Sequence, residues 1–340
     1  MECFNYSIIV TFIFGKSLYT DCREADWLLN TSTTQWTITA NGGSSFVLRV
    51  GTAGQVGSDA TNATERYGVR PVVYLKSNVL ISGGNGSVSN PYTLTKGKEI
   101  TDNPGANGAI VTDASGNERY AGSNPNNYVC FGTDATTCSG KQLWRIIGIV
   151  DGSLKLISTE YYSRSISFNT SYNNNWSESK LNAELHSNVY NNTEWISSSA
   201  QKSWLLNNKW RLSGINSNYT LSNFETAEKN SGYTTSNYIG IMTIIDYLYG
   251  SLNTSQCASS TRLDRDPFCG TENWLLASGD WTLTFLKNNQ GELWHTYPNG
   301  TVAYKSAASN SGARPVIYLD SNVKIVDGDG TESSPYILSK

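Results

Sequence analysis

The chain has 340 residues, a net charge of −3 and only 16% charged residues. That balance excludes disorder driven by charge repulsion, and it neutralises too little phosphate for a nucleic-acid partner. With 38% hydrophobic residues and much of the polar share in Asn, Ser, Thr and Gly, the composition points to a turn-rich β protein with few long helices.

No apolar run reaches the roughly 20 residues that span a bilayer. Residues 8–14 (Ile-Ile-Val-Thr-Phe-Ile-Phe) come nearest. Glu2 is the only early charge and no small-residue cleavage site follows closely, so this run reads as a buried strand or helix rather than a secretory leader.

From residue 22 the chain starts a pattern that it repeats near its end. Cys22, then Asp26-Trp27-Leu28-Leu29, falls on Cys269, then Asn273-Trp274-Leu275-Leu276. Trp36-Thr37-Ile38-Thr39 falls on Trp281-Thr282-Leu283-Thr284. Gly68-Val69-Arg70-Pro71-Val72-Val73-Tyr74-Leu75 falls on Gly312-Ala313-Arg314-Pro315-Val316-Ile317-Tyr318-Leu319, and Pro91-Tyr92 on Pro335-Tyr336. A repeat of this length marks a duplication. Each copy reads as short strands. Trp-Leu-Leu is an apolar run expected to be buried on both faces, and Trp-Thr-Ile-Thr alternates like a half-buried strand. The run after Arg-Pro suits a central strand whose first residue is the proline. A Gly-rich hairpin closes each copy.

Residues 95–127, rich in Gly, Asn, Asp and Pro, have no counterpart upstream. A boundary is therefore expected near 97. Residues 1–97 form a truncated closing half-copy, and residues 98–340 form a complete domain whose first stretch, 98–127, is linker-like. Tyr128-Val129-Cys130-Phe131 and the run 143–150 read as paired strands, and Asp151-Gly152 as a hairpin turn before a returning strand. A helix is expected after Ser177 through Leu181, Leu185 and Val189, and a second after Thr193 towards Trp204. Residues 223–237 read as polar loop. Tyr238 to Met242 reads as a strand, and Thr243-x-x-Asp246 as a capping box opening a short helix.

Five motifs in series then carry a resemblance: Leu143-Trp144-Arg145-Ile146-Ile147-Gly148, Trp176-Ser177 with Leu181-Asn182, Ile239-Gly240-Ile241-Met242, Asn273-Trp274-Leu275-Leu276, and Gly312-Ala313-Arg314-Pro315-Val316. In this order the chain resembles an uncharacterised family of bacterial surface-protein domains. That family is distantly similar to the C-type-lectin-like fold shared with formylglycine-generating enzymes, which also closes on a Gly-x-Arg strand. The resemblance implies an α+β domain of short twisted antiparallel strands and two or three short helices. A likeness of this kind carries no function by itself.

Short local cysteine pairs suit an oxidising compartment. Cys130 with Cys138 is the expected disulfide of the first hairpin, and Cys257 with Cys269 of a later loop; Cys3 and Cys22 are the positional analogue. No Cys-x-x-Cys occurs, and His186 and His295 lack partners at ligand spacing, so no metal site and no cofactor are expected. Asp327-Gly328-Asp329-Gly330 resembles the start of a calcium loop but lacks its distal glutamate, and reads as a hairpin turn. A copper-thiolate oxidase of the formylglycine-generating type would need Cys257 and Cys269 reduced. No nucleophile motif or phosphate loop appears.

Trp144, Trp176 and Trp274 lie in the framework motifs and are expected in the core. Trp281, Trp294, Tyr297 and Tyr304 lie where the two copies diverge. They are the expected ligand face, suited to a glycan or a protein, with packing beneath the loops as the alternative. The expectation is a non-catalytic adhesion or recognition domain, extracellular or on the cell surface, in an N-terminally truncated piece of a longer protein. A stalk module without a ligand is the alternative.

Overall fold

The computed structural model describes residues 30–340 except 41–44, 61, 63, 65, 74, 76–78, 97–99, 101–102, 208–209, 216–218 and 235–236. The expected run at 8–14, the first Trp-Leu-Leu and the Cys3 and Cys22 pairing lie outside the described residues. The fold is α+β, 36% strand and 16% helix. The chain divides into two compact units, Met1–Lys76 and Ser77–Lys340.

In the first unit β1 (Gln35–Ala40), β2 (Phe46–Val50) and β3 (Val56–Ala60) form an antiparallel meander. Trp36 packs edge-on against Tyr67 at 4.8 Å, and Arg49 pairs with Asp59 across the β2–β3 ladder.

The second unit opens with the hairpin β4 (Val79–Gly83) and β5 (Thr93–Lys96). Then follow β6 (Gly108–Thr112), β7 (Glu118–Gly122), β8 (Tyr128–Cys130), β9 (Leu143–Val150) and β10 (Ser153–Ser158). Asp151 and Gly152 turn β9 into β10 with φ of 53° and 75°, the left-handed pair that a tight hairpin needs. β11 (Ser163–Ser167) leads to α1 (Lys180–Leu185), which runs on as a π-helical turn, His186–Tyr190. Its cap is Ser179, whose hydroxyl accepts from Asn182 N at 3.0 Å. The expected cap, Ser177, instead lies in a preceding 3₁₀ turn capped by Asn175. The second expected helix shrinks to α2 (Ser199–Lys202), capped by Ser198.

Next come β12 (Trp210–Leu212), β13 (Gly214–Ile215), α3 (Leu221–Lys229), β14 (Gly232–Thr234), β15 (Ile239–Gly240) and α4 (Ile244–Tyr249). α3 replaces much of the polar loop expected over 223–237. Its buried stripe is Leu221, Phe224 and Glu228, so an acid stands where the apolar period would continue. α4 has the expected capping box, with Thr243 N donating to Asp246 Oδ2 at 2.8 Å and Asp246 N to Thr243 Oγ1 at 3.2 Å.

The chain closes with β16 (Trp281–Leu286), β17 (Glu292–Thr296), β18 (Val302–Ser306), β19 (Asn310–Ala313), β20 (Val316–Tyr318), β21 (Lys324–Asp327) and β22 (Ile337–Ser339). The largest sheet has the order β15-β20-β10-β9-β7-β6, with β8 added to β9. β20 is thus a central strand, as its unbroken apolar run requires. The second Trp-Leu-Leu run is a turn, not a strand. Trp274 N donates to Gly122 O and its indole to Tyr120 O, so its polar groups are met by the strand beside it. Trp144, Trp176 and Trp274 are core residues. Cys130–Cys138 and Cys257–Cys269 are disulfides at sequence separations of 8 and 12.

The repeated sequence is repeated in backbone detail. β2–β3 runs in register from Phe46↔Ala60 to Val50↔Val56, and β17–β18 from Glu292↔Ser306 to Thr296↔Val302. Thr37 Oγ1 donates to Leu48 O at 2.8 Å; its counterpart Thr282 donates to Trp294 O at 2.7 Å. Gln35 bridges Gly68 in parallel, as Asp280 bridges Gly312. The closing hairpins turn at Gly84 and Gly328, with φ of 80° and 81°. A Cβ at either would stand 2.0 or 2.1 Å from a proline carbonyl oxygen, so glycine is required at both.

Candidate functional site

The four aromatics expected to form one ligand face are split by the pleat of the β16–β17–β18 meander. Trp294 pairs with Tyr304 across β17–β18, on one face. Trp281 pairs with His295, the next residue along, and so lies on the other. Tyr297 lies tilted against His295, ring centres 4.2 Å apart, on that second side. Both tryptophans are fully buried. Trp281 packs on Phe168, and its indole donates to Ile166 O at 2.8 Å; Trp294 packs on Phe224 of α3. The expectation of a four-residue exposed face is therefore corrected: α3 and the strand β11 region cover the tryptophans, and neither cover is visible in the local sequence. Tyr297 and Tyr304 remain 37% and 42% exposed, on opposite sides.

Tyr304 is joined by two residues that the sequence did not single out. Tyr219 stacks on it with centroids 6.2 Å apart and touches Trp294 edge-on at 5.1 Å. The Arg262 guanidinium lies 4.7 Å over the Tyr219 ring and forks onto Asp264 at 2.9 Å through both Nε and Nη2. Burial, with the Tyr304 hydroxyl, raises the Tyr219 phenol. Thr220 pairs with Arg262 through a backbone bridge and donates its hydroxyl to Asn223 Oδ1. Asn223 then opens a cleft of about 450 Å³ between α3 and the ends of β13 and β16, lined also by Ile215, Thr226, Asn230, Phe285 and Lys287. The result is an aromatic–guanidinium shelf beside a cleft with amide, hydroxyl and ammonium groups.

Beneath this surface lies a buried charge network. Lys155 projects inward from β10, with Nζ 2.5 Å from Asp246 Oδ2 and 4.9 Å from the Tyr318 ring centre. Arg119 of β7 pairs with the other Asp246 oxygen and with Asp113 at 2.8 Å. Burial pushes the Asp246 carboxyl up, but Lys155 and Arg119 outweigh it and hold it at about 2. Asp280 pairs with Arg314 at 2.6 Å, and Arg314 also donates to Leu275 O at 2.7 Å. The arginine shared by both copies is thus an ion-pair partner and a carbonyl cap in the second.

Burial, reinforced by the Asp246 carboxylate, pushes Glu228 up to about 7. Burial and the Lys305 ammonium push His295 down to about 4. Their effects on stability have opposite sign. A carboxyl raised in the folded state contributes stability below its unfolded pKa, lost as pH rises through about 7. A depressed imidazole contributes stability above its unfolded pKa, lost as pH falls through about 4. The two offset one another between about pH 4.5 and 6.5. In Glu228→Gln the first contribution disappears. Relative to the parent, that variant should gain stability as pH rises from 4.5 to 8, by on the order of 3 kcal/mol at the upper end. Denaturant titrations across that range measure it, and a difference that stays flat with pH would contradict the assignment.

Among the described residues no group of three or more His, Cys, Asp or Glu side chains is placed to hold a metal ion. Asp329 of the calcium-like loop spends its carboxylate on Thr331 N and Oγ1, 3.0 and 2.7 Å away, which is the bonding of a turn. Cys257 and Cys269 are bonded to each other, so neither is the free thiolate that an oxidase site requires. No helix among the described residues is long and apolar enough to cross a membrane. No protein-family model, curated protein or solved structure matches the chain.

Proposed function

We propose that this chain carries an extracellular, non-catalytic recognition domain of the C-type-lectin-like class. More particularly, it is a module of a bacterial surface protein that holds a glycan or a protein segment on the Tyr219–Tyr304–Arg262 shelf and in the cleft beside it. The observation that carries this reading is the exposed Tyr304 ring stacked on the half-buried Tyr219, with a guanidinium over Tyr219 and, through Thr220 and Asn223, a link to a cleft with amide side chains. A stacked phenol face suits a sugar ring or an apolar side chain, and amides fix its hydroxyl or backbone groups. Two disulfides support an oxidising location. The motif series ending in Gly-x-Arg supports the lectin-like class.

Glycan and protein arrays probed with the intact chain provide the test. Tyr304→Ala with Asn223→Ala should lower binding of any hit at least about tenfold, the effect of losing roughly 1.4 kcal/mol. Binding that survives the pair unchanged moves the site elsewhere. Blank arrays with folded protein favour the second reading, a structural stalk module. The duplicated framework is the observation that favours that alternative.

A further inference from the structure

One guanidinium of the second unit is enclosed without a carboxylate. Arg145 of β9 lies between two rings, 4.3 Å from the centre of Tyr128 and 4.5 Å from that of Trp274. Its Nε donates to Asn127 Oδ1 at 2.6 Å, and its Nη2 to Asn124 Oδ1 at 3.2 Å and to Pro125 O at 3.0 Å. Asn127 is itself buried and anchored on Ile146 O at 2.8 Å. Every acceptor is thus neutral, and no carboxylate among the described residues forms an ion pair with Arg145. A charge drawn this far out of water is costly unless it is paired. Burial, with Arg314 nearby, pushes the guanidinium down to about 10, and Tyr128 and Glu332 oppose this only in part.

Arg314 comes to the same turn. It donates to Leu275 O, next to Trp274, and pairs with Asp280. The Tyr161 ring lies 5.6 Å from its guanidinium, and the same ring carries Arg164 at 4.4 Å. Arg164 is exposed and has no hydrogen bond or ion pair. In both Arg145 and Arg314 the remaining nitrogen, Nη1, makes no hydrogen bond and is not buried. Two guanidiniums held by rings, amides and carbonyls therefore turn one free donor each towards solvent, with a third cation beside them. Asp280 neutralises Arg314, while the exposed Glu332 acts on Arg145 only through space.

We infer that Arg145, Arg314 and Arg164 form an oxyanion subsite that takes the sulfate or phosphate group of an acidic ligand. The ligand supplies the counter-charge that the fold leaves out around Arg145. A planar, weakly hydrated guanidinium is the side chain best suited to such a group. Because the two rings and the Asn side chains already hold Arg145, little side-chain freedom is lost on binding. The subsite shares no residue with the Tyr219–Tyr304–Arg262 shelf, so each stands or falls alone.

The test is NMR of the arginine Nε–Hε groups in the intact, isotope-labelled chain. It is titrated with sodium sulfate or sodium phosphate, against sodium chloride of equal ionic strength. The Arg145 and Arg314 signals should move and saturate with at least one of the two oxyanions, at a Kd on the order of 1–10 mM, while the buried Arg119 signal stays in place. The anion that saturates them identifies the group. Arg145→Lys keeps the charge but loses the fork, and should weaken binding at least about tenfold; unchanged tryptophan fluorescence shows that it is folded. Arg164→Ala removes an exposed side chain with no bond to lose, and should weaken binding about threefold. If the lysine variant unfolds, Arg164→Ala alone decides. Three results would each overturn the inference: no saturable shift with either oxyanion; shifts that chloride reproduces, meaning ionic strength alone; or saturable binding that Arg164→Ala and a folded Arg145→Lys leave unchanged.

Discussion

Asp246→Ala should destabilise the second unit by about 3–5 kcal/mol, the cost of removing one partner from a buried ion network. The carboxylate has three tasks. It caps α4 through Thr243 N, it accepts from Lys155 of β10, and it pairs with Arg119 of β7. All three charged side chains are almost wholly buried. Its loss strands the Lys155 ammonium where water cannot solvate it and leaves the buried Arg119 guanidinium with Asp113 as its one ion-pair partner. Thr243→Ala separates the contributions, since it removes the cap and leaves the charges paired. It should cost only about 1 kcal/mol. Asp246→Asn keeps the shape and the cap acceptor but loses the charge, so its cost should fall near that of Asp246→Ala. Chemical denaturation followed by tryptophan fluorescence measures all three. If Asp246→Asn costs no more than Thr243→Ala, the buried charges contribute nothing beyond the cap.

The second large effect separates core from surface on one cross-strand pair. Trp294 and Tyr304 are direct neighbours on β17 and β18. Trp294 is the floor on which Phe224 of α3 packs at 4.9 Å and Tyr219 at 5.1 Å. Trp294→Ala should therefore cost about 3–5 kcal/mol through the cavity it leaves. Tyr304→Ala removes a partly exposed ring and should cost no more than about 1 kcal/mol. Binding should follow the opposite order once stability is allowed for: Tyr304→Ala loses ligand while folded, and Trp294→Ala loses it only as it unfolds. Equal stability losses for the two would mean that Tyr304 is a core residue and the shelf is not a surface.

Much of the framework was legible from short-range pattern. The β9–β10 hairpin was marked by Asp151-Gly152, α4 by Thr243 and Asp246, and the central strand β20 by an unbroken apolar run after a proline. These signals work because the cause lies within a few residues: a positive φ, a reciprocal cap, a missing N–H. α3 was missed because its stripe closes on Glu228, and an acid reads as a solvent position unless its surroundings are known. The second Trp-Leu-Leu run was misread as a strand because its hydrogen-bond partner, Gly122, is more than a hundred residues away.

The binding surface was half legible. Tyr304 was named from the divergence of the two copies, but Trp281 and Trp294 were placed beside it when they lie in the core. Alternation along β17 alone places Trp294 and His295 on opposite faces. It does not say which face α3 will cover. Tyr219 and Arg262 come from loops far apart in the chain, and only the tertiary structure brings them onto Tyr304.

By itself, the sequence determined the duplication, the places where hairpins turn, and the local pairs of cysteines 8 and 12 positions apart. Each of these follows from identity or from geometry within a short span. Only the tertiary structure decided which aromatics meet solvent, that Lys155, Arg119, Asp246 and Glu228 share one buried cluster, and that Val316 and Ile317 are buried while their counterparts Val72 and Val73 are exposed. Burial is set by what the rest of the chain lays over a residue. Two copies of one string therefore differ in it wherever their neighbours differ.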